Sequence, residues 1–138
     1  MKIVVNLSSG KTSGWLHRSR YFGVAIKAIL DAQVKINQLY LRLHNVPPLY
    51  QAGVRYQEED PRQGFEEFAN IPIIIARGWG DCDDLAPWRC AELREAGEKA
   101  CIRVQWKKQQ SGGKLFHILV RRENGQIEDP SLILGMGQ

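Results

Sequence analysis

Arg77-Gly78-Trp79-Gly80-Asp81-Cys82-Asp83-Asp84 is the stretch on which the reading of this chain turns. Two glycines and a tryptophan lead into a cysteine, and residues 85–98 read as a helix. A helix start offers unpaired backbone N–H groups and the positive end of the helix dipole, both of which favour a thiolate. The glycines let backbone or substrate come close. Pro87 conflicts with a helix interior because it lacks an N–H. The conflict eases if Asp83 or Asp84 caps the helix, which would leave Cys82 just outside its first turn. Gly97 marks the end.

Working outward, residues 1–6 are a short β-like run and residues 7–14 a Gly/Ser-rich arm. Ser19 is a plausible N-cap for a helix over 19–44. Phe22, Ile26, Ile29, Ile36, Tyr40 and Leu43 recur at helical steps, and Ala25, Ala28, Ala32 and Leu39 widen that face. Asn45 and Pro47-Pro48 stop it. Residues 49–56 read as an extended or turn segment around Gly53. Asp60-Pro61 reads as a cap with proline at the first helical position, opening a short helix to Phe68. Residues 71–76 are apolar and β-branched and read as a buried connector. Residues 101–106 alternate, 115–122 are apolar until a charged end, and 126–129 pair back before Pro130. With turn signals at Ser111-Gly112-Gly113 and Asn124-Gly125, this predicts a three-stranded antiparallel meander. The fold class is therefore α+β. Residues 1–46 form an arm and long amphipathic helix, which is either part of the same unit or a docking element. Residues 47–138 form the core.

Composition narrows the function. The chain has 138 residues, 43% of them hydrophobic, which suits one domain with a real core. A net charge of +4 without a long basic run or a binding motif argues against nucleic acid. No apolar run is long enough to span a membrane, and residues 1–6 are too short for a signal-peptide core. Three cysteines favour a reducing compartment and at least one free thiol. Cys82 and Cys90 cannot share a zinc ion, being ~12 Å and ~80° apart on a helix. Asp81, Asp83 and Asp84 could attract a cation, but the spacing is not that of an EF-hand loop. No cofactor and no metal is expected.

Downstream, His117 lies in the middle strand and Asp129 at the end of the last, with a tight turn making those strands neighbours. Cys82, His117 and Asp129 thus form a nucleophile, base and orienter set, in which the His takes the thiol proton and the Asp fixes the imidazole. The Cys82 N–H would stabilise an oxyanion.

Gly80-Asp81-Cys82-Asp83-Asp84-Leu85-Ala86, Ala91 to Gly97, Phe116-His117-Ile118-Leu119-Val120-Arg121 and Glu128-Asp129-Pro130-Ser131 together resemble the transglutaminase-like cysteine-enzyme family. The short chain and the Gly-Asp-Cys-Asp-Asp form are most similar to its compact bacteriophage and prophage versions. The resemblance implies a papain-like core, with a Cys-bearing helix packed on an antiparallel sheet. It makes Cys82 the nucleophile, His117 the base and Asp129 the orienter, acting through a thioester on amide bonds. Trp79 and Tyr56 are candidates for a second oxyanion donor, and Asp81 for helix capping or for receiving a cationic substrate group. The implied activity is that of a cysteine peptidase, an amidase or a transglutaminase-like acyltransferase. Its substrate would be a protein or peptide, cell-wall peptide included, and its place the bacterial host cytoplasm or a virion. The 19–44 helix is expected to serve self-association or virion assembly. The competing expectation is a non-enzymatic phage structural or assembly protein that keeps this fold for binding.

Overall fold

The computed structural model describes residues 2–6, 20–59, 65–108 and 114–138. In chain order these form β1 (Lys2–Asn6), α1 (Arg20–Leu43), a 3-10 turn (Leu49–Gln51), β2 (Arg55–Tyr56) and β3 (Phe65–Ala69). Then come α2 (Ile71–Arg77), β4 (Trp79–Gly80), α3 (Cys82–Glu95), β5 (Cys101–Lys108), β6 (Lys114–Arg121), β7 (Ile127–Glu128) and α4 (Pro130–Ile133). This is a mixed α+β fold built on small sheets: β1 with β3 antiparallel, β2 with β4 parallel, and β5-β6-β7 antiparallel.

The C-terminal meander follows the sequence pattern. Ile102, Val104, Phe116, Ile118 and Val120 meet one cluster, with Ile102 facing Val120 and Val104 facing Ile118 in register. Gly125 takes the positive φ of 88° that closes the β6–β7 turn, and its N–H bonds Arg122 O at 2.9 Å. Ser111-Gly112-Gly113 lies outside the described residues.

Helix α1 belongs to this core: Ile26, Leu30 and Val34 pack with Ala86, Cys90, Ala91 and Leu93 of α3. Its buried row differs from the expected stripe. Ala25, Ala28 and Ala32 are exposed, Leu39 is 56% exposed and Leu43 67%. The inward row is Ile26, Leu30, Gln33 and Asn37, at the helical period. The two polar members are inside because each satisfies a backbone group of the β3–α2 junction. Gln33 Nε2 donates to Phe68 O at 2.9 Å, and Asn37 Oδ1 accepts from Ile71 N at 3.1 Å. Ser19 and the Phe22 side chain lie outside the described residues.

Two expected elements are corrected. Residues 65–68 are strand β3 rather than helix, paired with β1 from Lys2↔Ala69 to Asn6↔Phe65. Asp60-Pro61 lies outside the described residues. Residues 71–77 are helix rather than connector. Asn70 is the extended N-cap, Pro72 sits in the first turn, and Gly78 at φ 78° ends the helix with its N–H on Ile74 O at 2.8 Å. Proline at the start and a left-handed glycine at the end outweigh the β-branched run between them. Beside it a second cluster gathers Leu49, Val54, Ala69, Ile71, Ile74, Leu85 and Trp88 under α3. Among the described residues no helix is long and apolar enough to cross a membrane.

Candidate functional site

Cys82 is the first residue of α3, and the N-cap is Asp81, in extended conformation. The expected cap at Asp83 or Asp84 is thus displaced: those residues fill the first turn, and Cys82 lies inside the helix start. Pro87 is within the helix. The approach to Cys82 is fixed by Gly80, where an added Cβ would come within 3.1 Å of both Asp84 Cβ and Leu85 Cδ2. A larger residue would press on Asp84 and Leu85, which would have to give by a few tenths of an ångström. Strand β2 lies alongside with Arg55 opposite Trp79 and Tyr56 opposite Gly80. Gln57 N donates to Gly80 O at 2.9 Å, and Tyr56 N donates to Leu134 O at 2.9 Å.

The aspartates depart from expectation. Read from the sequence as caps or a cation-attracting group, they are buried: Asp81 is 8% exposed, Asp83 1% and Asp84 fully buried. Asp84 accepts from Ala69 N at 2.6 Å and Asp81 N at 3.3 Å, and it ion-pairs with Arg77. Burial first, then Asp81, hold its carboxyl above the usual range, against the opposing pull of Arg77 and the two N–H groups. Every described bond to Asp84 comes from a donor, which is the pattern an ionised carboxylate needs. Asp83 has no such cation. Burial first, then the neighbouring Asp81, hold its carboxyl well above the usual range, and its Oδ1 has no described partner. Both causes favour the neutral form of Asp83 in the fold more than in the unfolded chain. A raised folded pKa costs stability as pH climbs above the unfolded value of ~3.9, by up to about 1.4 kcal/mol per pH unit until the folded group itself ionises. Asp83→Asn removes that cost. Its midpoint of thermal unfolding should match the parent near pH ~4 and exceed it increasingly as pH rises above ~5. A constant difference across this range would show that Asp83 is charged in the fold.

His117 and Asp129 meet as the pattern implied. His117 Nε2 lies 2.9 Å from Asp129 Oδ2, with side chains 12% and 22% exposed. Asp129 caps α4 through its other oxygen, which accepts from Leu132 N at 3.2 Å, so the carboxylate is held from both sides. The preceding residue anchors the strand. Glu128 accepts from Tyr50 Oη and Arg89 Nε at 2.6 Å each and from Arg122 Nη1 at 3.0 Å. Burial alone would push Glu128 up, but Arg89 and Tyr50 hold it below its usual range. Glu128 has no role in the motif that carries it; its tightest cation, Arg89, lies 39 residues away in the chain.

Cys82 packs against the cluster that Phe116, Ile118 and Val120 enter. His117 and Leu119 alternate with these along β6, so the pleat sets them in the opposite row. His117 and Asp129 are thus paired on β6 and the strand end after it, and Cys82 opens the helix that packs on the same sheet. Tyr56 is half-buried near Cys82 and Asp81; its phenol is pushed well above the usual range by burial first, then by those neighbours and Glu58. Trp79 lies under the Arg77 guanidinium, 3.7 Å from the ring centroid. No cysteine forms a disulfide. Carboxylate oxygens of Glu59, Asp81 and Asp84 lie within 4.8 Å of one another, but Arg77 already supplies a cation to Asp84. A surface cleft of about 600 Å³ lies elsewhere, between α1 and β5, lined by Val24, Lys27, Val104 and Trp106 among others. Compared with known proteins, the chain matches no family model, no curated protein and no solved structure.

Proposed function

We propose that the protein is a cysteine-dependent acyl-transfer enzyme acting on amide bonds, of the transglutaminase-like type that its motifs resemble. The observation that carries the reading is the pairing of His117 Nε2 with Asp129, which leaves Nδ1 for a thiol, on the sheet that packs against the helix opened by Cys82. In the reaction, Cys82 Sγ attacks the carbonyl carbon and the C–S bond forms. The C–N bond breaks, and the leaving amine takes its proton from the His117 imidazolium. Water then attacks the thioester with His117 as base, releasing the acid and the thiol. The Cys82 N–H faces the developing oxyanion, and Tyr56 is better placed than Trp79 to help, since the Trp79 ring is occupied by Arg77. Water is the proposed acceptor; transfer would instead need a dry channel that admits an amine. The substrate is a peptide or protein, cell-wall peptide included, met in a phage-infected bacterium or a virion.

The test is incubation with glutamine-containing and cell-wall peptides, with and without a labelled primary amine. Release of acid and ammonia or amine, trapped as a thioester on Cys82 and abolished by Cys82→Ala, is the expected result. Amine incorporation above hydrolysis would reassign the acceptor. A second reading, a phage structural protein that keeps the fold for binding, draws on the opposite-row placement of His117 and on the exposed Val24, Leu39 and Leu43 of α1. That reading predicts no thioester with any peptide and association through α1.

A further inference from the structure

We propose that Arg77 is a positioning residue for Cys82: bound to Asp84 and to β4, it cancels the charge buried in the first turn of the nucleophile's helix and fixes the backbone that leads into it. The inference rests on the cysteine-enzyme reading. It starts from a position that the sequence singled out only as the head of a motif.

Arg77 is the last residue of α2, and its side chain is 16% exposed. Its guanidinium uses each of its nitrogens. Nε donates to Trp79 O at 2.8 Å, Nη1 to Glu67 Oε1 at 3.2 Å, and Nη2 pairs with Asp84. Its flat face covers the Trp79 ring. One side chain therefore joins α2, β3, β4 and the first turn of α3. A lysine, with a single compact ammonium, could not make these contacts together.

The charges around Cys82 explain why such a cation is needed. From its own element, Asp81, Asp83 and Asp84 face the helix start; from β2 and the segment after it come Tyr56 and Glu59; from β3 comes Glu67. Burial favours the neutral form of Asp83, and Tyr56 is a neutral phenol. Glu67 is shared between Arg77 and Lys2. Asp84 is the aspartate with a cation: burial and Asp81 favour its neutral form, Arg77 and two backbone N–H groups favour its charged one, and it stands two residues from the thiol. Without Arg77 it would oppose a thiolate in a site with little water to screen it. With Arg77 the pair is neutral, and the helix dipole and His117 can act on Cys82.

A structural role alone would change stability and leave the thiol's titration where it is. The experiment therefore measures the alkylation rate of Cys82 against pH in the full chain, for the parent, Arg77→Gln, Arg77→Lys, Asp84→Asn and the double variant Arg77→Gln/Asp84→Asn. Circular dichroism confirms that each is folded. Arg77→Gln should move the Cys82 profile up by about one pH unit, roughly a tenfold loss of rate near neutrality. Arg77→Lys should fall between. The double variant, which removes cation and anion together, should return to within about threefold of the parent. A parent-like profile for Arg77→Gln, or a double variant no better than the single, overturns the proposal. His117→Ala is measured alongside. If it moves the profile while Arg77→Gln does not, this inference fails and the cysteine-enzyme reading stands; if neither moves it, that reading has failed. Where Arg77→Gln does not fold, the comparison of Arg77→Lys with Asp84→Asn decides, since the charge account requires Asp84→Asn to react no more slowly than the parent.

Discussion

Brief treatment of the folded protein with an alkylating reagent near pH ~6.5 should label Cys82 at least about tenfold faster than Cys90 or Cys101. An unperturbed thiol titrates near ~8.5, so only a small fraction is thiolate under these conditions. Cys90 is worse placed still. It is fully buried between α1 and α3, and burial pushes its thiol up to about 11. Reagent reaches it only when α3 leaves α1, which is close to global unfolding. Cys101 is half-buried at the start of β5, with no helix dipole behind it. Cys82 has the α3 N-terminus, an Asp83 whose burial favours its neutral form, an Asp84 paired with Arg77, and on the neighbouring sheet an imidazole held by Asp129. His117→Ala should slow its labelling, and Asp129→Asn should slow it less, because the ring remains. Peptide mass spectrometry reads all three cysteines in one digest. Equal labelling of the three, or a Cys82 rate indifferent to His117, would remove the enzyme reading and leave the structural protein.

What could be read in advance divides by the range of the interactions involved. The meander over β5, β6 and β7 was legible because alternation and the Asn124-Gly125 turn are local signals. The existence of α3 was legible for the same reason, but its cap is Asp81, two to three residues before the expected Asp83 or Asp84. Helix α2 was not. Ile73, Ile74 and Ile75 look like strand when taken alone, and only the proline before them and the left-handed Gly78 after them say otherwise. Strand β3 was hidden because its partner β1 is some sixty residues away in sequence, from Lys2↔Ala69 onward. Gln33 and Asn37 broke the apolar pattern of α1 because they serve the backbone of Phe68 and Ile71, contacts no window on the helix contains. At the site the same rule holds. The approach of His117 to Asp129 follows from a tight turn and was foreseen. The burial of Asp83 and Asp84, and the Arg77 pair beside it, arise where α2, β3 and β4 converge, and three aspartates within four residues look like a solvated turn until that convergence is known.

Trp88→Ala should be the most damaging single substitution in the second cluster, costing about 3–5 kcal/mol. Trp88 is fully buried in α3, with Leu49, Val54, Ala69, Ile71, Ile74 and Leu85 in the same cluster. Truncation removes a large buried surface and leaves a cavity that these neighbours, drawn from separate elements, can close only in part. A domain of this size commonly has about 5–15 kcal/mol in total, so the variant should melt roughly 10 °C lower or fail to fold. The indole N–H complicates a simple volume argument: among the described residues Nε1 has no partner, although it is buried. A buried donor left unpaired costs about 1–3 kcal/mol, and Trp88→Phe removes that donor while keeping a six-membered ring. Trp88→Phe should therefore cost well under half of what Trp88→Ala does, a gap that urea unfolding of the two variants resolves. The consequence reaches the site, because Tyr56 packs against this cluster and Leu85, its neighbour there, is the residue that Gly80 approaches. Partial collapse of the cavity would draw β2 and β4 after it, so a folded Trp88→Ala protein should also show slower alkylation of Cys82 than Trp88→Phe does. A Trp88→Ala protein within about 1 kcal/mol of the parent would mean that the cluster is not packed as described. Equal costs for Ala and Phe would mean that the N–H has a partner and that its loss, rather than the cavity, dominates.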